Sequence, residues 1–309
     1  MAAENAAMVF SGPSAAPPRW AMGIGPSWSR NGQADTSESV VAEIDCLMVA
    51  WDPAEKFRQL LEREEFALHE GALCIAAHGC PDMDFDAELD RLDALAERCD
   101  RSTREQMLLS LFGDLGFHGN RTDYYDPRNS FLNEVMRRRT GIPISLAVLT
   151  IAVGYRMGYE FEGIGLPGHF LIRDRNEPDT YIDAFAGGAL LDAQGCEELF
   201  HQITGRQKGF HPAFLAPVDD SSILERMLGN LRAIYAQRQD YANLEWVLEL
   251  RTMCPSVPAG EARQLGLINM ERGRFEEAAR RFEALAQAAE DDDEEQLLQL
   301  ATRARARMN

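Results

Sequence analysis

Two short β-prone segments place a histidine and an aspartate at a spacing that suits acid–base chemistry. In GIGLPGHFLIR, residues 163 to 173, His169 follows a Pro-Gly pair, and in YIDAF, residues 181 to 185, Asp183 comes 14 positions later. If a hairpin centred near residue 176 joins the segments, His169 lies opposite Asp183 or Ala184. In the first register, the aspartate would hold one imidazole nitrogen and leave the other free as a base.

A base of this kind needs a nucleophile, and a helix N-terminus favours one because the helix dipole and free N–H groups stabilise an anion. Pro143 suits the first turn of a helix and Gly158 suits its end. Between them the residues are apolar almost all round, which is typical of a helix at the centre of a domain. The residue at its start is Ser145, so Ser145, His169 and Asp183 are the candidate catalytic positions.

The composition restricts the classes of partner. Lys and Arg total 31 against 50 Asp and Glu, which gives a formal net charge of −19. Such a chain is repelled by phosphate, so neither general nucleic-acid binding nor binding to an anionic membrane is expected. The six cysteines form no recognisable disulfide framework, and no apolar stretch approaches the roughly 20 residues that cross a bilayer. We therefore expect a cytoplasmic protein.

No cofactor or metal is expected. His69, Cys74, His78 and Cys80 lie close together in the sequence, but they lack the repeated close pair of zinc sites and fall on an apolar helical stretch. A nucleotide is not indicated either, because there is no glycine-rich strand-to-helix fingerprint and no Walker-type lysine.

The chain divides into three parts. Residues 1–38 are rich in Ala, Gly, Ser and Pro and predict a disordered leader. In residues 39–215, helical segments are followed by three strand-like runs, FEGIGL, HFLIRD and TYIDAF, which indicates an α+β domain. A capping box from Ser102 to Glu105 is predicted within it, and Asn129 or Ser130 is expected to cap a helix at about 131–139.

The last part, residues 216–309, carries a repeat. NLRAIYAQRQDY (230–241) and QLGLINMERGRF (264–275) match at an offset of 34 residues, and this period is typical of tetratricopeptide helices. There are about two units and a closing helix. Because fewer than three free-standing repeats should not be stable alone, we expect this all-α region to pack against the domain before it.

Longer segments resemble the SirB family of bacterial transglutaminase-like proteins. They are GFHGNRTDYYDPRNSFLNEVMRRRTGIPISLAVL, GIGLPGHFLIR and YIDAFAGGALL, and the resemblance extends over about residues 45–285. It implies a papain-like, transglutaminase-like core in which a cysteine at the N-terminus of the central helix, a histidine and an aspartate form a triad. Carried over, the cysteine position falls at or beside Ser145, with His169 and Asp183 as the other two members. Ala184 stands where relatives usually have proline.

The serine changes the expected chemistry. A helix N-terminus can convert a thiol, whose pKa is about 8.5, into a thiolate at neutral pH, whereas a serine hydroxyl needs a full general base and an oxyanion hole. We therefore expect a non-catalytic transglutaminase-like pseudoenzyme that binds a protein or peptide partner through its cleft and its helical repeats. One alternative is a serine-dependent amide or ester hydrolase, or acyl transferase, that uses Ser145, His169 and Asp183. A scaffold with a vestigial cleft is another.

Overall fold

The computed structural model describes residues 51 to 308, apart from the side chains of residues 259, 291 and 292. The predicted leader, residues 1–38, lies outside the described residues. Within them the chain forms an α+β core followed by an all-α region, as the sequence predicts.

Most of the helices are joined by short connections, and a side chain caps the N-terminus of several of them. They are α1 (Pro53–Leu61), α2 (Leu68–Gly79), α3 (Phe85–Arg98), α4 (Arg104–Leu109), α5 (Leu132–Arg138), α6 (Pro143–Met157), α7 (Ala193–Thr204), α8 (Asp220–Arg238), α9 (Tyr241–Arg251), α10 (Ala259–Glu271), α11 (Phe275–Ala286) and α12 (Asp291–Ala306). Shorter turns of helix are Ser110–Asp114, Pro127–Ser130 and Pro212–Leu215.

The central helix is α6, as its apolar sequence predicts. Pro143 occupies the first turn, and Gly158 ends the helix in the left-handed conformation at φ 86°. Nearly all side chains from Ile144 to Val153 are buried, because α2, α3, α5 and the sheet pack around the helix. The prediction of a helix at the centre of the domain is confirmed.

The main sheet is an antiparallel meander of β3 (Phe161–Ile164), β4 (Leu171–Asp174), β5 (Tyr181–Asp183) and β6 (Ala189–Leu191). The fourth strand was not predicted. Neither was the separate parallel pair of two-residue strands, β1 (His118–Gly119) and β2 (Thr140–Gly141). Segments of two or three residues are too short to show an alternating pattern.

The hairpin register differs from the prediction. Ile172 pairs with Ile182, so the hairpin is centred at residue 177, and His169 extrapolates to a place opposite Phe185. Both predicted registers, with His169 opposite Asp183 or opposite Ala184, are therefore wrong. The loop itself shifts the centre, because it contains two successive turns that share Glu177: the N–H of Glu177 donates to the carbonyl of Asp174 at 2.9 Å, and the N–H of Thr180 donates to the carbonyl of Glu177 at 3.1 Å.

Two predicted helix caps are also wrong. The residue that caps α4 is Thr103, whose hydroxyl accepts the N–H of Gln106 at 3.2 Å, while the N–H of Ser102 donates to Asp100. Before α5, residues Pro127–Ser130 form a separate 3₁₀ turn, because proline suits the first position of such a turn. The helix then begins at Leu132, and the side chain of Asn129 is used elsewhere.

The 34-residue repeat is visible in the backbone. Helix α8 ends at Gln239 with φ 53°, and the matching position in the next repeat is Gly273 with φ 76°. The N–H of Asp240 donates to the carbonyl of Tyr235 at 2.9 Å, and the matching bond from Arg274 to Asn269 is 2.8 Å long. Helices α8 to α11 thus form two helix pairs, and α12 packs on α11 to close the array.

The repeat region packs against the core before it. Ile223, Leu224, Met227 and Leu228 of α8 are buried in the same apolar cluster as residues of α2 and α6. The approach is close at Gly71, where an added Cβ would lie 2.3 Å from a methyl carbon of Leu224. The two parts therefore share one core, and the boundary near residue 215 stays a prediction.

Candidate functional site

His169 lies in the tight turn that leads into β4. Gly168 before it has φ 88°, a conformation that favours glycine, and the N–H of His169 donates to the carbonyl of Leu166 at 3.0 Å. The imidazole is buried, with 6% of the residue exposed. Its Nε2 lies 2.8 Å from Oδ2 of Asp183.

Asp183 is the last residue of β5, and its carboxylate is held from two sides. While Oδ2 contacts the imidazole, Oδ1 accepts the N–H groups of Phe185 at 2.9 Å and Ala186 at 3.0 Å. Because a carboxylate only accepts hydrogen bonds, Nε2 of His169 carries the proton in this contact. The other ring nitrogen, Nδ1, is therefore the one with a lone pair.

Ser145 is the third residue of α6, and its hydroxyl is bound to the backbone. Its Oγ donates to the carbonyl of Asn129 at 2.5 Å and accepts the N–H of Ile142 at 3.1 Å. The residue is fully buried, and an added Cβ on Gly141 would lie 2.7 Å from Oγ. Within the described part of the chain, Ser145 has no hydrogen bond to His169.

The structure thus brings together two of the three predicted positions. His169 and Asp183 are hydrogen-bonded, whereas Ser145 is engaged with Asn129 and Ile142. Asn129 was not among the candidate site residues. The sequence indicated Asn129 only as a candidate helix cap, in the loop GFHGNRTDYYDPRNS, 16 residues before Ser145.

That loop is held by a pair of buried asparagines. The side-chain amide of Asn120 donates to Oδ1 of Asn129 at 3.1 Å, and Asn129 donates to the carbonyls of Asp123 at 2.7 Å and Tyr124 at 3.2 Å. Asn129 is fully buried. These contacts fix the carbonyl that receives the Ser145 hydroxyl, so the loop helps to position the start of α6.

Aromatic rings connect the loop to the histidine. The ring of Phe185 lies 6.0 Å from that of His169 and 6.2 Å from that of Tyr124, both edge to face. The guanidinium of Arg121 lies over Phe185, 4.8 Å from the ring centre. Burial raises the pKa of Tyr124 to about 12, so its hydroxyl keeps the proton at neutral pH.

The described cysteines do not supply a nucleophile in place of Ser145. Burial raises the pKa of Cys74, Cys196 and Cys254 to about 12 and also raises the pKa of Cys80 and Cys99. A reactive cysteine needs the opposite shift.

Two hollows of the described structure lie away from the predicted site. A hollow of about 400 Å³ is lined by residues at the start of α11 and near the end of the chain, such as Phe275 and Arg307. Another of about 540 Å³ lies on α7 beside His201 and Phe210. Neither is lined by Ser145, His169 or Asp183, so the candidate site is described by its hydrogen-bond geometry.

In residues 51 to 308, no group of three or more His, Cys, Asp or Glu side chains is arranged to hold a metal ion. His69 contacts the guanidinium of Arg156, and His78 contacts the carbonyl of Cys74 at 2.9 Å. Of the helices that the structure describes, none has both the length and the apolar character needed to cross a membrane.

Comparison with known proteins agrees with this architecture. A model of the transglutaminase-like superfamily matches residues 84–229, and a tetratricopeptide repeat model matches residues 231–308. F-box only protein 21 of Homo sapiens is 37% identical over 134 residues, which cover 40% of this chain and 20% of that protein. No solved structure gives a significant match.

Bacterial relatives cover more of the chain. A UPF0162 protein of Xylella fastidiosa is 37% identical over 193 residues, which are 57% of this chain and 67% of the relative. A UPF0162 protein of Pseudomonas aeruginosa is 31% identical over 193 residues, which are 60% of this chain and 71% of the relative. Together with the transglutaminase-like core and the repeat helices, these similarities mean that the chain belongs to the UPF0162 family of bacterial proteins.

Proposed function

We propose that this chain is a non-catalytic transglutaminase-like protein that binds a protein partner. The observation that carries the proposal is the hydroxyl of Ser145, which donates to the carbonyl of Asn129 and accepts the N–H of Ile142 in a fully buried place. To attack a substrate, the hydroxyl would have to leave both groups, and each would then be buried without a hydrogen bond. That loss costs about 1 to 3 kcal/mol for each group.

A serine-dependent amide or ester hydrolase, or acyl transferase, is the second candidate function. The contact between Nε2 of His169 and Asp183 favours it, because this contact leaves Nδ1 as a base. It lacks support at the nucleophile, since the hydrogen bonds of Ser145 run to the backbone. The binding function therefore has the better support.

The repeat helices support a protein as the partner. Tetratricopeptide arrays form extended surfaces that contact other proteins. On α10, Leu267 is 42% exposed and follows Gln264, which accepts a hydrogen bond from Arg232 of α8 at 2.8 Å. Leu267 thus lies one turn along from the contact between the first helices of the two repeats, at the surface that a partner would meet.

The proposal is tested by capture from a bacterial lysate on the immobilised full chain, followed by titration of the captured protein. We expect saturable binding that Leu267→Ser weakens at least tenfold. Leu298→Ser is the matched control, because Leu298 is 44% exposed on the closing helix α12. If no protein binds saturably, or if the two variants bind like the unchanged chain, this account of the function is wrong.

We also propose that the protein belongs to the SirB group that its motifs resemble and that it acts in the cytoplasm. The matches to a transglutaminase-like model and a tetratricopeptide model support the first point. The second is supported by the five described cysteines, which are free thiols as expected in a reducing compartment.

A further inference from the structure

Arg226 on α8 is a charged side chain that has no partner in the part of the chain that the structure describes. It is partly buried, and it has neither a hydrogen bond nor an ion pair with any residue between 51 and 308. Burial lowers the pKa of Arg226 to about 9, and the described titratable group that acts on it is Tyr124, whose hydroxyl is neutral at pH 7. None of the acidic residues between 51 and 308 thus pairs with this arginine.

Other buried arginines in the protein are paired. Arg251 makes two hydrogen bonds to the carboxylate of Glu261, at 2.5 and 2.7 Å. Arg104 pairs with Glu105 at 2.6 Å and Glu177 at 2.8 Å. Removing a cation from water without a counter-charge is unfavourable. An arginine held in that state is therefore a candidate to receive an anion from outside the chain.

The position of Arg226 links it to the candidate site. Its neighbour Tyr124 stands edge to face with Phe185, and Phe185 stands edge to face with His169. Arg121 lies over the ring of Phe185, which is the middle ring of this series from Tyr124 to His169. Like Arg226, it has no ion pair with a described residue. Two arginines thus border the rings that lead to His169.

We propose that Arg226 binds a carboxylate group of the partner beside Tyr124, in the group of rings that Arg121 also borders and that leads to the His169–Asp183 pair. The guanidinium presents two parallel N–H groups that match the two oxygens of a carboxylate. The hydroxyl of Tyr124 can donate a further hydrogen bond to the same group. This inference rests on the proposed function, and it names the chemistry that the partner would present.

The test is a titration of the full-length, ¹⁵N-labelled chain with two probes, followed through the arginine Nε–H signals by NMR. N-acetylglutamate amide carries only a side-chain carboxylate, and N-acetylglutamine carries only an α-carboxylate. The signal missing from Arg226→Gln identifies Arg226, and Arg303, exposed on α12, is the internal control. We expect a saturable shift at Arg226 with at least one probe and only a linear drift at Arg303. The probe that saturates first shows which carboxylate source is preferred.

Stability measurements separate binding from a structural role. We expect Arg226→Gln to unfold at the same temperature as the unchanged chain or at a higher one, because a partly buried unpaired charge is removed. The rise in unfolding temperature that the probe causes should be lost. A variant that unfolds at a much lower temperature and keeps that rise would show a structural arginine and overturn the inference.

The outcomes also separate this inference from the proposed function. If Arg226 and Arg303 drift alike with both probes, or if inorganic phosphate saturates Arg226 at lower concentration than either probe, the carboxylate site is wrong. If a protein partner is nevertheless captured, the proposed protein-binding function would still be supported. Conversely, saturation at Arg226 without any captured protein would leave the carboxylate site and remove the proposed function.

Discussion

At the scale of single residues, Asp183 joins two turns of the sheet. One carboxylate oxygen holds the imidazole of His169 and the other holds two backbone N–H groups, from Phe185 and Ala186. The carboxylate therefore orients the histidine and also shapes the turn after β5, so both roles depend on one side chain.

We expect Asp183→Ala to lower the free energy of unfolding by about 2 to 4 kcal/mol, because three donors lose their acceptor in a largely buried place. Asp179→Ala is the matched control, since Asp179 is exposed in the preceding loop, and its effect should stay within about 0.5 kcal/mol. Urea unfolding followed by circular dichroism measures both. Equal losses in the two variants would mean that the Asp183 contacts do not stabilise the fold.

The sequence predicted part of this arrangement. The spacing of His169 and Asp183 put both residues on one hairpin, and their contact forms even though the hairpin is centred at residue 177. The contact forms despite the error because both residues lie beyond the two pairs that join β4 to β5, although Asp183 itself is paired with Ala189 of β6. The acceptor of the Ser145 hydroxyl was not predictable, because the carbonyl of Asn129 belongs to a loop without periodicity. The catalytic roles stay a prediction.

At the scale of elements, long periodic segments were predicted well and short ones were not. The apolar pattern of α6 and the 34-residue repeat each carry a signal over many residues. The two-residue strands β1 and β2 depend on tertiary contacts, since the N–H of His118 donates to the carbonyl of Arg139 and that of Asn120 to the carbonyl of Gly141. No local pattern encodes such pairs.

The repeat helices are also joined by a buried ion pair, between Arg251 at the end of α9 and Glu261 in α10. We expect Glu261→Ala to lower the free energy of unfolding by about 2 to 4 kcal/mol, because buried Arg251 loses two close hydrogen bonds to a carboxylate and keeps only that of Glu225, 3.7 Å away. In chemical denaturation, the control Glu277→Ala should change the stability by less than about 1 kcal/mol, since Glu277 is exposed and 3.9 Å from Arg274. If Glu261→Ala lowers the free energy of unfolding no more than Glu277→Ala does, this ion pair does not stabilise the repeat helices.

At the scale of the whole molecule, core and repeats share one apolar cluster that runs from α1 to α10. This arrangement agrees with the expectation that two repeats need support from a neighbouring domain. The succession of a transglutaminase-like core and repeat helices was predictable from sequence, whereas the boundaries of the parts stay predictions. The contact of Leu224 with Gly71 was not predictable, because the two residues are far apart in the sequence.

The pH dependence of unfolding should report His69. Burial, followed by the charge of Arg156, lowers the pKa of His69 to about 3. As the pH falls below about 6.5, the unfolded chain binds a proton that folded His69 does not, so the folded state loses about 1.4 kcal/mol per pH unit. His69→Gln lacks this term. Between pH 6.5 and 4.5, the unfolding free energy of His69→Gln should therefore rise by about 2 to 3 kcal/mol relative to that of the unchanged chain.

The comparison with His69→Gln is needed because Asp220 acts in the opposite direction. Burial, with the charge of Asp219, raises the pKa of Asp220 to about 7. As the pH falls below about 7, folded Asp220 binds a proton before the unfolded chain does, so the folded state gains stability. Taking the difference between the two proteins at each pH cancels the Asp220 term. A difference that does not change with pH would show that His69 titrates alike in the folded and unfolded chains.

Labelling of the intact protein with a fluorophosphonate, which reacts with activated serines, tests the central claim most directly. The unchanged chain is compared with Ser145→Ala and His169→Ala. Because the hydroxyl of Ser145 is buried and bound to Asn129 and Ile142, we predict no labelling of any of the three proteins. Labelling of the unchanged chain that both substitutions abolish would identify an active serine enzyme and contradict the account.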